Sequence, residues 1–317
     1  MERSRGLDGG TLKGMAAVLM LTDHVGAILL PQVLILRCIG RLAFPIFAFF
    51  IAEGYAHTRD FRKYVLRMAA WAVVSEASFN LENGLIFDLT RQNVLWTFCL
   101  ALLTLRGLEE LRRETGGARY LGCGVALATG FAAGELLHVD YGGWGVMTVA
   151  LFYLCREGRY ARYGLLLGML ALNGLCIGSM KTAVFGIQVP IQIFAVAALP
   201  LLWLYNGRPG AKGWRWAFYV FYPAHLLVLE GIRALTYGGR LWQRIKRKKP
   251  MSCGHWSKRK SPTRQRPTPT ERETPSTESA WQGPWGWMWR WCLRPWCARA
   301  HPGDTMCLTS LWQRIWI

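Results

Sequence analysis

Ionisable side chains that could carry out acid–base chemistry lie inside apolar stretches of this 317-residue sequence. His24 follows Asp23 in the first stretch, and an imidazole can accept the proton of an amine or hydroxyl near neutral pH. Lys13 precedes His24 by eleven residues, so a helix would place both on one face, about 16 Å apart along its axis. Glu53 and His57 lie four residues apart and would also share a face. The pattern predicts a polar site built inside helices.

The stretches that contain these residues are long enough to cross a membrane. The sequence is 52% hydrophobic, and a helix of about 20 apolar residues crosses a hydrocarbon core of ~30 Å. Charged connectors divide the first 238 residues into about nine such segments, several of which are short for a full crossing. We therefore predict an all-α fold, a polytopic membrane helix bundle with spans at 11–30, 38–56, 63–80, 92–107, 119–137, 141–155, 163–180, 187–205 and 214–235.

Basic residues are distributed unequally between alternate connectors. The even-numbered connectors contain fourteen lysines and arginines, whereas the odd-numbered ones contain four. Connectors rich in Lys and Arg usually face the cytoplasm. The bias predicts a multi-pass protein with a cytoplasmic N-terminus.

With this orientation, the polar residues of the spans separate by depth. A charged side chain at mid-bilayer costs at least ~2.5 kcal/mol, so such residues either pair structurally or line a cavity. Their number, from separate spans, favours a polar cavity. The outer group is Asp23, His24, Arg41, Glu76, Asn93, Glu135, His138, Asp140 and His225, and the inner group is Lys13, Glu53, His57 and Arg67.

The last quarter of the chain differs from the rest. Residues 239–317 contain 16 Lys plus Arg against four acidic residues, and so carry +12 of the net charge of +19. Lys-Arg-Lys-Lys at 246–249 precedes a Ser/Thr/Pro/Arg-rich stretch and then interleaved tryptophans, without a helical or strand period. We predict a membrane domain at 1–238 and a disordered or non-native tail at 239–317. Contact with anionic lipid is an alternative for the tail, and no nucleic-acid partner is expected.

Five cysteines lie at or within the predicted spans: Cys38, Cys99, Cys123, Cys155 and Cys176. Their spacing fits neither a metal site nor a disulfide framework, so we interpret them as small packing residues and predict no metal.

Several motifs occur in order along residues 11–232 and together resemble the TraX family. They are Thr11-Leu12-Lys13-Gly14, Thr22-Asp23-His24, the run from Ile39 to Phe49, Ala52-Glu53-Gly54-Tyr55, His57-Thr58-Arg59, Ser75-Glu76, Gln92-Asn93-Val94, Asp140-Tyr141-Gly142, Gly145-Val146 and the run from Phe221 to Leu226. The tail has no counterpart in this resemblance.

The resemblance implies a multi-spanning protein of the bacterial cytoplasmic membrane. The best-known member of the family acetylates the N-terminus of a conjugative pilin. The family is also distantly similar to membrane acyltransferases that use acetyl-CoA to O-acetylate surface sugars. In those enzymes a basic residue and a histidine lie about three turns apart on the first helix, as Lys13 and His24 do. The implied donor is acetyl-CoA, and the implied acceptor is a pilin or a surface polysaccharide.

The polar residues can be given roles in such a transfer. His24 would be the general base, and Arg41 could stabilise the oxyanion. Asp23 points about 100° away from His24, so Glu76 or Asp140 is better placed to orient the imidazole. Inner arginines would suit the phosphates of acetyl-CoA, and the alternative is that they serve only to orient the protein in the membrane. We predict catalytic roles for His24, Asp23, Arg41 and Glu76, and substrate binding by Lys13, Glu53, His57, Asn93, Asp140, Tyr222 and His225.

Two other functions use the same residues differently. In a transporter, intramembrane Asp, Glu and His side chains would relay protons or ions. In a non-catalytic partner for conjugation or envelope assembly, they would only hold helices together.

Overall fold

The computed structural model describes residues 6–82, 88, 90–113, 115–177, 180–184, 187–210 and 214–236. These residues are mostly helical, which confirms the predicted all-α class. The helices are α1 (Gly9–Ile28), α2 (Leu34–Gly40), α3 (Ala43–His57), α4 (Phe61–Glu82), α5 (Val94–Leu111), α6 (Gly116–Leu136), α7 (Gly142–Leu154), α8 (Ala161–Ala171), α9 (Ala198–Trp203) and α10 (Trp214–Thr236). A π-helical turn (Leu172–Cys176) follows α8, and a 3-10 helix (Ile191–Ala197) precedes α9.

The helices follow the predicted segments along the chain, with two departures. A turn at Arg41 and Leu42 divides the second segment into α2 and α3. Residues 187–190 were predicted to be helical but form a strand, β2 (Ile187–Pro190), which pairs antiparallel with β1 (Lys181–Val184). The reason lies in Pro190, which keeps an extended backbone and disfavours helix in the residue before it.

Polar caps fix the start of two helices that carry site residues. The Asp8 carboxylate accepts a hydrogen bond from the Thr11 amide (2.7 Å) at the start of α1. This bond holds the pKa of Asp8 below its ordinary value. The Asn93 side chain accepts from the Leu95 amide (3.1 Å) and caps α5. Both caps satisfy backbone donors that a helix leaves unpaired.

The helices pack around an apolar core, yet many polar residues are buried and many large apolar residues are exposed. Fully buried core residues include Leu12, Ile46, Leu102, Val146 and Leu199. The exposed apolar side chains include Val18, Leu66, Val73, Leu103, Leu121, Leu167, Leu227, Val228 and Leu235. Buried polar residues include Ser75, Asn93, Asn173, Gln192, His225 and Glu230.

In the described part of the chain, one helical stretch, Leu34–His57, is long and apolar enough to cross a membrane by length and composition. Three other apolar helical stretches are shorter: Gly142–Leu154, Ala161–Cys176 and Ile191–Trp203. The nine-span topology and the cytoplasmic N-terminus therefore stay predictions. The predicted tail at 239–317 lies outside the described residues, and its boundary also stays a prediction.

Candidate functional site

An ion-pair cluster joins α1 to α2 at the end of the bundle predicted to face outward. One carboxylate oxygen of Asp23, Oδ2, accepts hydrogen bonds from Arg37 Nη1 (2.6 Å) and Arg41 Nη2. Arg37 also donates to the backbone carbonyl of Asp23 (3.2 Å). All three side chains are largely buried. Asp23 therefore holds two arginines and does not orient the neighbouring imidazole, as the helical geometry predicted.

Arg41 connects this cluster to the 3-10 helix before α9 and, through it, to the π-helical turn after α8. Its Nη1 donates to Gln192 Oε1 at 3.4 Å, and Gln192 Nε2 donates to Asn173 Oδ1 at 3.2 Å. Asn173 lies in the π-helical turn, a local distortion often found at functional sites, and donates to the Met169 carbonyl (2.9 Å). Because Asp23 and Gln192 already engage Arg41, an oxyanion would have to share its guanidinium with them.

His24 contacts a second histidine that is 201 residues away in the sequence. His225 Nε2 lies 3.4 Å from His24 Nδ1, and the two rings meet edge to face with centroids 4.9 Å apart. Each Nδ1 also lies 2.8 Å from the carbonyl four residues earlier, Met20 for His24 and Phe221 for His225. A carbonyl only accepts hydrogen bonds, so we assign a proton to each Nδ1. The Nε2 of His24 then carries a lone pair and has no hydrogen-bond partner among the described residues.

Asp140 approaches the same cluster from the turn before α7. Its carboxylate lies 3.8 Å from Arg91 Nη2, and its backbone amide donates to the Gln92 carbonyl (2.8 Å). Burial raises the pKa of Asp140, while the charges of Arg91 and Arg41, and that of His24 when it is protonated, act in the opposite direction. The next residue has a left-handed backbone (φ 63°). The turn thus brings a carboxylate within electrostatic range of His24.

Glu76 and Asn93 form a separate pair. Asn93 Nδ2 donates to Glu76 Oε2 (2.5 Å) and to the Ala72 carbonyl (2.8 Å), which ties the start of α5 to α4. The expectation that Glu76 or Asp140 would orient His24 by a hydrogen bond is not met in the structure. The hydrogen-bond partners of His24 among the described residues are Met20 and His225.

The opposite end of the bundle contains a cavity of about 300 Å³. Its walls include Glu53, Arg156 and Arg162, together with apolar and aromatic residues of α3, α7, α8 and α9. Arg156 Nε donates to Glu53 Oε2 at 3.1 Å, and His57 Nδ1 lies 3.5 Å from Glu53 Oε1. The cavity is thus mainly apolar, with one carboxylate and two arginines in its lining.

Two more predicted binding residues lie near these features. Lys13 Nζ stands over the Phe50 ring, 4.6 Å from its centroid. Tyr222 is buried, and its ring lies 5.9 Å from that of His225. The structure therefore brings together Asp23, His24, Arg41, Asp140, Tyr222 and His225, and it separates them from Glu53 and His57. Their roles stay predictions.

Sequence reasoning missed several buried polar residues. Gln192 and Asn173 are uncharged, so a prediction based mainly on ionisable side chains does not include them. Glu230 is 1% exposed and pairs with Arg233 (2.7 Å) in α10. The signal was present in each case, because a polar side chain inside an apolar stretch needs a partner.

The comparisons with known proteins agree with the resemblance. The profile of the family described as TraX protein matches residues 8–233. A relative from Dichelobacter nodosus named "Probable fimbrial assembly protein FimC, serogroup H1" is 30% identical over 72% of this chain and 97% of its own length. "Protein TraX" of Escherichia coli is 29% identical over 71% of this chain and 86% of its own length. No solved structure matches. The chain belongs to the TraX family.

Proposed function

We propose that this chain is a multi-spanning membrane acyltransferase that moves an acetyl group from acetyl-CoA to an amine or hydroxyl. The observation that carries the proposal is the His24–His225 pair, which leaves a lone pair on His24 Nε2. Asp140 lies within electrostatic range of His24, and Asp23, the preceding residue of α1, pairs with Arg41. A base in the same cluster as a buried guanidinium suits acyl transfer, because the acceptor loses a proton as the carbonyl oxygen gains negative charge.

Residence in a membrane is supported by where polar and apolar side chains lie. Soluble monomers rarely expose large contiguous apolar patches, yet α4, α6, α8 and α10 all present exposed leucines, valines or tyrosines. The same bundle buries amides, hydroxyls and charged groups. Lipid would cover the apolar faces, while the interior would shelter the polar residues. We further propose the cytoplasmic membrane, with the N-terminus inside, from the distribution of basic connectors.

Each proton and each bond in the transfer can be accounted for with the residues present. His24 Nε2 takes the proton of the acceptor as its nitrogen or oxygen attacks the thioester carbonyl. The new C–N or C–O bond forms, the C–S bond breaks, and the departing thiolate of CoA takes the proton from His24. Arg41 would stabilise the oxyanion while keeping Asp23 as its counter-charge.

The cavity at the predicted inner end supports binding of a cytosolic donor. Its volume of about 300 Å³ suits part of a donor such as a pantetheine arm, while Arg156 and Arg162 could bind anionic phosphate oxygens. The inner connector arginines Arg59, Arg62, Arg112 and Arg113 would extend this basic surface. The acceptor would then bind near His24, Asp23 and Asp140, and the thioester end of the donor would have to extend from the cavity to His24.

A second candidate function follows from the relative named for fimbrial assembly. In this alternative, the chain is a non-catalytic membrane partner in pilus or envelope assembly, and its buried polar groups only fix the helices. The fimbrial assembly named for that relative makes a pilin a reasonable acceptor to test. A surface polysaccharide is the other.

The decisive experiment compares cells with and without the gene. Pilin-like proteins and surface polymers are analysed by mass spectrometry for the mass of one acetyl group, and membranes are incubated with acetyl-labelled acetyl-CoA. Label on a pilin or polymer that depends on the gene and on His24 supports the enzyme. Intact pili with no gene-dependent acetylation and no label transfer would contradict it, and loss of pili without acetyl loss would favour the assembly partner.

A further inference from the structure

His225 was predicted to bind substrate, but its contacts describe a different role. The residue is 5% exposed, and its ring stacks on Phe221 with centroids 4.8 Å apart and planes 9° from parallel. Its Nδ1 donates to the Phe221 carbonyl. The ring is therefore held at both its face and one nitrogen, and little of it is open to a ligand.

The remaining nitrogen of His225 points at His24. With Nδ1 protonated, the Nε2 of neutral His225 has a lone pair, and this lone pair faces His24 Nδ1 at 3.4 Å. The proton on His24 Nδ1 is then shared between the Met20 carbonyl and His225 in a three-centre arrangement. At 3.4 Å the second branch is at the long end of hydrogen-bond distances.

We propose that His225 is a positioning residue that holds the His24 ring and stabilises its protonated form. The effect of His225 on catalysis rests on the proposed function, whereas the contact between the two histidines does not. When His24 Nε2 takes a proton, positive charge spreads to Nδ1–H, and a hydrogen bond from a charged donor is stronger than one from a neutral donor. The lone pair of His225 accepts that bond, as the third group of a catalytic triad does for its histidine.

Two substitutions separate acceptance of this bond from simple packing. His225→Phe keeps a flat ring of similar size but removes the lone pair. His225→Gln supplies a carbonyl oxygen at a similar reach, so it can still accept from His24 Nδ1. His138→Asn is the matched control for loss of a histidine, because His138 is exposed and asparagine tolerates its left-handed backbone (φ 50°).

The first measurement does not need acyl transfer. The full chain in detergent is treated with diethyl pyrocarbonate, which modifies unprotonated imidazole nitrogens, and the rate at His24 is read by peptide mass spectrometry. At about pH 6, near the midpoint of histidine titration, we expect faster modification of His24 in His225→Phe because less of it is protonated, return to the wild-type rate in His225→Gln and no change in His138→Asn. Equal His24 rates in wild type and His225→Phe would overturn the proposal, as would equally fast rates in both His225 variants.

The second measurement is the transfer of labelled acetyl groups. We expect His225→Phe to lower kcat roughly 10–100-fold, the range typical for loss of an orienting partner, with KM for acetyl-CoA unchanged and kcat largely restored in His225→Gln. A raised KM with unchanged kcat would instead return His225 to substrate binding. If the wild-type chain transfers no acetyl group, the proposed function fails, whereas the modification rates still decide the His24–His225 contact.

Discussion

Asp23 of α1 and Gly40 of α2 approach so closely that the interface has no room for a side chain at position 40. A Cβ placed on Gly40 would lie 2.6 Å from the Asp23 Cα. The contact brings α2 against the segment that carries His24, and it allows Arg37 and Arg41 to reach one carboxylate.

Gly40→Ala is therefore expected to lower the free energy of unfolding by about 1–3 kcal/mol or more, because overpacking forces backbone shifts. Gly14→Ala is the control, since a Cβ there meets no atom within 4 Å and alanine favours helix by up to about 1 kcal/mol. Thermal unfolding in detergent measures both. A Gly40 variant as stable as wild type would show that α1 and α2 can separate without cost.

Asp23→Asn should destabilise the fold by about 3–5 kcal/mol, because it leaves two largely buried arginines without their counter-charge. Asp60→Asn serves as the comparison, since Asp60 pairs with Lys63 (3.0 Å) on the surface and surface pairs contribute little. The measurement is the unfolding midpoint of each variant. Similar midpoints for the two variants would argue against a structural role for the buried cluster.

His24→Ala is expected to reduce acetyl transfer about 10²–10⁴-fold, the usual cost of losing a general base, while the protein stays folded. His138→Asn again controls for loss of a histidine. Equal amounts of folded protein by gel filtration are needed before the rates are compared. Full activity in the His24 variant would remove the catalytic assignment.

Arg156→Gln should raise KM for acetyl-CoA and leave kcat nearly unchanged, because the residue lies in the cavity at the opposite end from His24. Arg156→Gln leaves Glu53 without its arginine partner. The double variant Arg156→Gln/Glu53→Gln therefore tests whether a change in KM comes only from the unpaired Glu53 carboxylate. If KM for acetyl-CoA is unchanged in both the single and the double variant, the donor binds elsewhere.

Topology can be tested with single cysteines in a cysteine-free chain. Leu137→Cys lies at the predicted outer turn, where the native side chain is 55% exposed, and Gly117→Cys lies at the predicted inner connector in open space. A membrane-impermeant maleimide added to intact cells should label the first and spare the second. The opposite pattern would reverse the orientation and the donor and acceptor sides with it.

The sequence predicted the helices well because a run of apolar residues between charged connectors has few other ways to satisfy its backbone. It also predicted that Asp23 would not orient His24, since adjacent helical residues point about 100° apart. The partner of His24 was not predicted, because α1 and α10 meet only through tertiary packing. The hairpin was not predicted because Val189 and Pro190 fit an apolar span by composition, although proline disfavours helix in the residue before it.

The three short apolar helical stretches affect the thickness of the hydrocarbon layer that a substrate must cross. They contain 13, 16 and 13 residues, which corresponds to about 20–24 Å of helix rather than the ~30 Å of a typical hydrocarbon core. Each contributes a wall residue to the inner cavity: Phe152, Leu165 and Leu202. A bilayer that thins to match these helices would be narrowest beside that cavity. The distance that the thioester end of a cytosolic donor must span to reach the outer histidines would be shortest along this side of the bundle.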